Sequence, residues 1–440
     1  MNFNSQRWSK EMIAMFTRQR KLSNLAGLLL TIVCAGCAGS LTGPVDTPQA
    51  SLRDYAARIP IMRAEMSKVM AGAQASATRI MEQPTALLNV PYWEQPGVGE
   101  ELVNRSGGLA NVLPTSDRTT DATDRDVVLL SVRSWENDGT NVVQWLKTYR
   151  AKKWYTTLIA SRAGCPPNLK ADCFIDNGAP SGGKEHGRIN VLANTTLAWM
   201  WCCEYVSAMT RQGKMPGVLM SVGLPEGEAF DHPLQTRLGR HWIGSCTTAT
   251  PAGAMAETYL QRVEKLVADL RSGPRQMQIK RAADIVAQRM AAGQTVGLSG
   301  VGHLILFETQ LDNKAPWKGF SGMLVQGRRL KSLLKPGDLL VWIGYSGGVN
   351  SKYFNFAKAI HNAELEVITC FTPDPRGPVD DDGITPLAHI DQSWAIGDAE
   401  VPLPLPPGKM APISGLNQVL IQRMLDDEVT NRLVAEKKHN

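Results

Sequence analysis

Beyond Cys37 the chain has six further cysteines and no C-x-x-C pair among them, so their spacing gives no zinc site. It has no G-x-x-x-x-G-K-[S/T], and no G-x-G-x-x-G between a strand and a helix, which removes the usual signatures of a nucleotide-binding loop. Net charge is also scarce: 47 Lys and Arg against 41 Asp and Glu give +6. Five of those cations (Arg7, Lys10, Arg18, Arg20, Lys21) and one acid (Glu11) fall in residues 1–36, and without that stretch the balance is +2. The near-neutral remainder lacks the electrostatic footprint of a nucleic-acid binder. The apolar run Leu25–Val33 is too short to span a bilayer comfortably.

What is present at the N-terminus reads as targeting. A basic stretch precedes Leu25–Val33, and the run ends at Cys34-Ala35-Gly36-Cys37. Small residues before a cysteine resemble the lipobox of bacterial lipoproteins, which implies lipidation at Cys37. The expectation is a signal peptide over 1–36 and a tether over 37–50. The protein is then held by a lipid at a membrane of the cell envelope, in a periplasmic or other extracytoplasmic location. An export route permits disulfides. Cys165 and Cys173 flank a short loop and either pair or stay thiols.

The chain repeats itself. Asp126–Ser134 reads DVVLLSVRS and Asp338–Ser346 reads DLLVWIGYS, and the shift is the same at both ends (126 to 338, 134 to 346). Each copy runs from an apolar strand through a Ser-containing turn to a helix and then a second strand. In the second copy the strand Leu339–Ile343 leads to the turn Gly344–Ser351, a helix bearing Phe354, Ala357 and Ile360, and the strand Leu365–Cys370. In the first copy the helix is expected over 142–152 and the next strand over 155–160. Each copy ends in a long helix, 192–211 and 414–432. Two further helices, 257–270 and 275–290, lead into the second copy. The boundary between the copies is expected near 223–252, where Gly223–Glu228 reads as a loop and 247–252 as a break, and the proline-rich stretch 402–412 reads as a loop. The fold class expected is α/β: two doubly wound, mostly parallel domains in tandem, over 51–245 and 246–435.

A Ser/Gly turn at a helix start offers hydroxyls, free N–H groups and the positive end of a helix dipole, which suits a phosphate or another anion. Small residues there also serve as ordinary helix caps. With this layout the chain resembles the SIS (sugar isomerase) family of phosphosugar-binding domains. Val296–His303, ending GVGH, is similar to the first-strand motif of one bacterial branch, and Gly344–Ser351 to the family's phosphate loop. Glu100–Leu109 resembles that branch's EEL…RxGGL helix, and Asp176–Gly182 its DNGAPxGD segment. The chain departs from the pattern as well. Gly344 and Val349 stand where the loop usually has Ser and Thr, and Trp135 follows Ser134 where the family has glycine. Pro91-Tyr92-Trp93-Glu94 stands where the first copy would carry its GxGH turn.

The resemblance implies a phosphorylated sugar, or a related small molecule, as ligand. Gly300, Gly302, Ser346, Gly347, Asn350, Ser351, Ser134 and Arg105 are then the expected contacts. It implies no cofactor and no metal, and its sites at subunit or domain interfaces allow a homodimer. Aldose–ketose isomerisation needs a base, usually Glu or His. His303, Glu101 and Glu100 are the expected catalytic residues, with Glu308 and His361 nearby. Glu204 and Glu428 read as solvated helix faces. The alternative is a non-catalytic sensing or scaffold module that keeps degenerate sites for packing.

Overall fold

The computed structural model describes residues 49–83, 85–91, 97–115, 122–180, 187–236, 238–305, 318–321, 330, 333–345, 356–372 and 384–439. Residues 47–440 form one compact unit. The expected signal peptide, Cys37 and the turn residues Ser346, Gly347, Asn350 and Ser351 lie outside the described residues, as does Glu308.

Two helices open the fold, α1 (Ala50–Ala64) and α2 (Met66–Glu82). Then come β1 (Leu88–Val90), α3 (Val98–Leu102), β2 (Val112–Pro114), β3 (Val127–Ser131), α4 (Trp135–Ala151), β4 (Tyr155–Ala160), β5 (Cys173–Asp176) and α5 (Gly187–Thr210). A short excursion follows: β6 (Lys214–Pro216), α6 (Gly227–Leu234) and β7 (Ile243–Ser245). The helices α7 (Ala254–Arg271) and α8 (Pro274–Ala291) lead to β8 (Val296–Gly300). After it come β9 (Lys318–Ser321), β10 (Leu339–Ile343), α9 (Phe356–Asn362), β11 (Glu366–Phe371), β12 (Ala388–Asp391), β13 (Ala399–Pro402), β14 (Lys409–Pro412) and α10 (Ser414–His439).

The first five-stranded sheet has the order β2-β1-β3-β4-β5 and the second β9-β8-β10-β11-β12, both parallel throughout. Numbered from their own first strands, both sheets read 2-1-3-4-5. The repeat seen in the sequence is therefore a repeat of topology. The strand β3 maps onto β10 at the same shift as the sequence motif (127 to 339, 131 to 343).

Both faces of each sheet are covered, which is why the strands read as unbroken apolar runs. Alternate residues of β3 split between two clusters: Val127 and Leu129 face the central core, and Val128 and Leu130 pack with Val142 and Leu146 of α4. In β10, Leu339, Val341 and Ile343 face the same central core, while Leu340 and Trp342 pack with Ala357 and Ile360 of α9. The central core draws on α1, α2, α5, α7, α8 and α10 and runs through both copies.

That placement corrects the reading of Glu204 and Glu428 as solvated. Glu204 is 1% exposed, and its carboxylate caps α7 by accepting the N–H groups of Gly253 (2.8 Å) and Ala256 (3.2 Å). Glu428 is 4% exposed and pairs with Arg432. Trp199 and Trp201 are fully buried on α5. The proline-rich stretch is an antiparallel β13–β14 hairpin rather than a loop, and the boundary region near 223–252 holds α6 and β7, which pairs with β6. All six described cysteines, Cys165 and Cys173 included, are free thiols.

Candidate functional site

The strands β8 and β10 run side by side until Gly300 pairs with Ile343, and their C-terminal ends then open into two turns. This is the edge at which parallel α/β sheets present ligands. The first turn carries Val301, Gly302 and His303; the second opens with Gly344 and Tyr345. The start of α10 lies against both, and α3 with the following Arg105 comes from the first copy.

His303 is partly buried, and its Nδ1 lies 2.9 Å from the backbone oxygen of Glu100. A carbonyl oxygen only accepts, so Nδ1 carries the proton and Nε2 holds the lone pair. Burial, with the Arg105 cation nearby, lowers the His303 pKa to about 3. The ring is therefore neutral near pH 7, and Nε2 is a base rather than a cation. Gly302 has φ +155°, and a Cβ there would fall 2.2 Å from Oε1 of Gln418, so the turn requires glycine.

Beside His303 lies a buried charged group that draws on both copies. Arg105 donates to Asp398 Oδ2 (2.7 Å) and to Ser414 Oγ (2.5 Å), with Glu101 Oε1 3.4 Å from its Nε. Ser414 in turn donates to Asp398. Arg105 and Asp398 are 3% and 5% exposed, and Glu101 is sealed. Burial works against the Arg105 charge, but Asp398 and Glu101 outweigh it and its pKa is raised. The Arg105 cation lies near Tyr345, the second residue of the turn after β10, whose hydroxyl pKa burial raises. Burial raises the Glu101 pKa, and Arg105 pulls it back. Its Oε2 faces the Trp199 indole N–H without meeting it in a well-formed hydrogen bond. Glu101 packs against the first turn of α10, where a Cβ on Gly415 would lie 2.7 Å from Oε2. Glu100 is spent locally: its Oε2 accepts the Gly97 N–H at 2.5 Å and holds the start of α3.

Six residues singled out in the sequence thus share one site: His303, Glu100, Glu101, Arg105, Gly300 and Gly302. Ser134 belongs to the equivalent turn of the first sheet. There the N–H groups of Arg133 (3.0 Å) and Ser134 (3.4 Å) point to Oδ2 of Asp138, and Arg133 Nη2 reaches Oδ1 (3.2 Å). A carboxylate of the chain already occupies the place where the turn N–H groups would meet an anion. Trp135 donates its indole N–H to the Ser161 carbonyl at 2.8 Å and closes the turn from the other side. His361 is exposed on α9. Among the described residues no cluster of three His, Cys, Asp or Glu is placed to hold a metal.

Asp398, Ser414 and Tyr345 were not singled out in the sequence. Ser414 had a readable signal, a Ser-Gly pair after Pro412 at a helix start. Asp398 lies on a turn before β13 and has none.

No family model and no curated protein matches the chain. Solved structures similar to it are phosphosugar isomerases and related proteins. One, from Silicibacter pomeroyi, is assigned as a phosphosugar isomerase; it is 11% identical, with 89% of this chain and 99% of that chain covered and a TM-score of 0.46. The C-terminal domain of glucosamine-fructose-6-phosphate aminotransferase from Francisella tularensis is 10% identical, with 86% and 96% covered and a TM-score of 0.44. A phosphoheptose isomerase from Francisella tularensis is 14% identical; it matches over 41% of this chain and 100% of its own length, with a TM-score of 0.28.

Proposed function

We propose that the second copy binds a phosphorylated sugar or a similar carbohydrate derivative at the ends of β8 and β10. One observation carries this reading: the His303 turn meets Glu100, Glu101 and Arg105, which belong to the other copy, at that sheet edge. The site sets a neutral imidazole beside a buried, ion-paired Arg105, at the sheet edge where the sequence leads one to expect an anion-binding turn. Thermal-shift titration of the full chain with fructose 6-phosphate and glucosamine 6-phosphate tests it. A rise in melting temperature with either is expected, and no shift at millimolar concentration would sink the reading.

If the site also isomerises its ligand, His303 is the base we propose, on its place at the sheet edge; with its pKa lowered to about 3 it is a weak base, and the expected exchange is slow. The His303 Nε2 takes the C2 proton of the open-chain aldose and returns it to C1, while a second proton passes from O2 to O1. Glu101 is sealed and ion-paired, which suits it to holding Arg105 rather than to meeting a substrate carbon. Solvent-deuterium exchange at C2 is the readout, and His303→Ala should abolish it.

The second reading is a non-catalytic sensing or scaffold module. Asp138 favours it for the first copy, because it fills that copy's turn from within. On either reading we propose lipidation at Cys37 and an extracytoplasmic, membrane-anchored location, supported by the sequence of residues 1–37. The division into copies over 51–245 and 246–435 is proposed on the repeated strand order. Among the described residues no helix is long and apolar enough to cross a membrane.

A further inference from the structure

Past the last ladder pair of β8 and β10, the carbonyls of Val301 and Gly344 bond no strand among the described residues. One side chain from α10 takes both: Gln418 Nε2 donates to Val301 O at 3.2 Å and to Gly344 O at 3.1 Å. Gln392 supplies a second donor to Gly344 O at 2.6 Å. A single amide therefore fixes the spacing between the turn that carries His303 and the turn that opens with Tyr345.

The first copy keeps one arm of this device. Asn194 of α5 donates from Nδ2 to Val132 O at 2.9 Å, and Val132 holds the place in the first copy that Gly344 holds in the second. There the other end of the amide is closed, because Asn177 donates to Asn194 Oδ1 at 2.8 Å. In the second copy it is open. Gln418 is fully buried, its Oε1 has no hydrogen-bond partner among the described residues, and that oxygen lies against Gly302. Leaving a buried acceptor unmade works against folding. A clamp that served stability alone would close both ends, as the one in the first copy does.

We infer that Gln418 is a positioning residue of the ligand site, holding the His303 turn against the Gly344 turn at the spacing the sugar requires. This rests on the phosphosugar reading above. The glutamine acts through the turns: its amide N–H groups set them, and its unpartnered Oε1 leaves the Gly302 side free to adjust when a polyol enters between them. Inorganic phosphate has no polyol to span the two turns, so their spacing should matter to the sugar and not to the phosphate.

Calorimetric titration of the full chain with fructose 6-phosphate and with inorganic phosphate separates these roles. Gln418→Met keeps the volume and removes both amide ends. It should weaken fructose 6-phosphate at least tenfold and leave inorganic phosphate within twofold. Gly302→Ala drives a methyl into Gln418 Oε1 and should give the same split without touching residue 418. Asn194→Leu should lower the melting temperature and leave both affinities unchanged. Equal weakening of both ligands in Gln418→Met and Gly302→Ala would overturn the inference and make Gln418 a structural clamp. Unchanged affinities in both variants would overturn it as well. If the wild-type chain binds inorganic phosphate but no sugar phosphate, the phosphosugar reading fails first, and the positioning role with it.

Discussion

Arg105 has left water, and two carboxylates and a serine hydroxyl replace the hydration it lost. Such a group is weak evidence for stability while complete, yet removing one member strands a charge. Arg105→Met should therefore cost about 3–5 kcal/mol in denaturant unfolding, whether or not a ligand binds. The double change Arg105→Met with Asp398→Leu should recover part of it. His303 works in the other direction. Its pKa near 3 in the fold lies below the usual 6.5, so the unfolded chain takes up a proton that the fold refuses. Its contribution is fully present above pH 6.5 and is lost as pH falls from there toward 3. The raised carboxyls Glu101, Glu400 and Asp427 have the opposite sign, so the effect is read as a difference between variants. Between pH 7 and 5 the wild type should lose more stability than His303→Gln. Equal slopes would show that His303 titrates freely.

At the scale of the element, helix starts decide what each copy can hold. Asp138 lies one turn into α4 and turns its carboxylate back onto the N–H groups of Arg133 and Ser134. Asp138→Ala should destabilise the chain by about 1 kcal/mol, as the loss of a helix cap does. It should leave phosphosugar affinity unchanged, because that turn is not the proposed site. Binding lost in Asp138→Ala would move the site to the first copy. At the start of α10, Gly415 leaves room for Glu101, and Gly415→Ala should cost about 1–3 kcal/mol through overpacking. The strands were legible because burial on both faces writes them as continuous apolar runs; Leu339–Ile343 and Tyr155–Ala160 coincide with their expected bounds. The helix α4 begins at Trp135, well before the expected 142, because Trp135, Glu136 and Asn137 carry no apolar periodicity. The β13–β14 hairpin was hidden by its prolines, which argue against strand pairing in a sequence but are tolerated at the edge of a two-stranded ladder.

For the whole molecule, the constant shift between the two copies was the decisive signal. It converts one recognisable βαβ unit into two sheets of the same strand order sharing a central core. The site was only partly legible. The GVGH turn and the EEL…R segment each stood out, but their meeting depends on packing between distant parts of the chain. The ion pair of Arg105 with Asp398 leaves no trace in either local sequence. The proposed anchor is tested separately: radiolabelled palmitate should mark the wild-type chain and not Cys37→Ala, and label persisting in the variant would refute lipidation at Cys37. The most direct measurement of the central reading is the stoichiometry of fructose 6-phosphate or glucosamine 6-phosphate binding to the full chain by calorimetry. One site per chain, lost in His303→Ala and kept in Asp138→Ala, is expected. Two equivalent sites, or one site indifferent to His303, would contradict it.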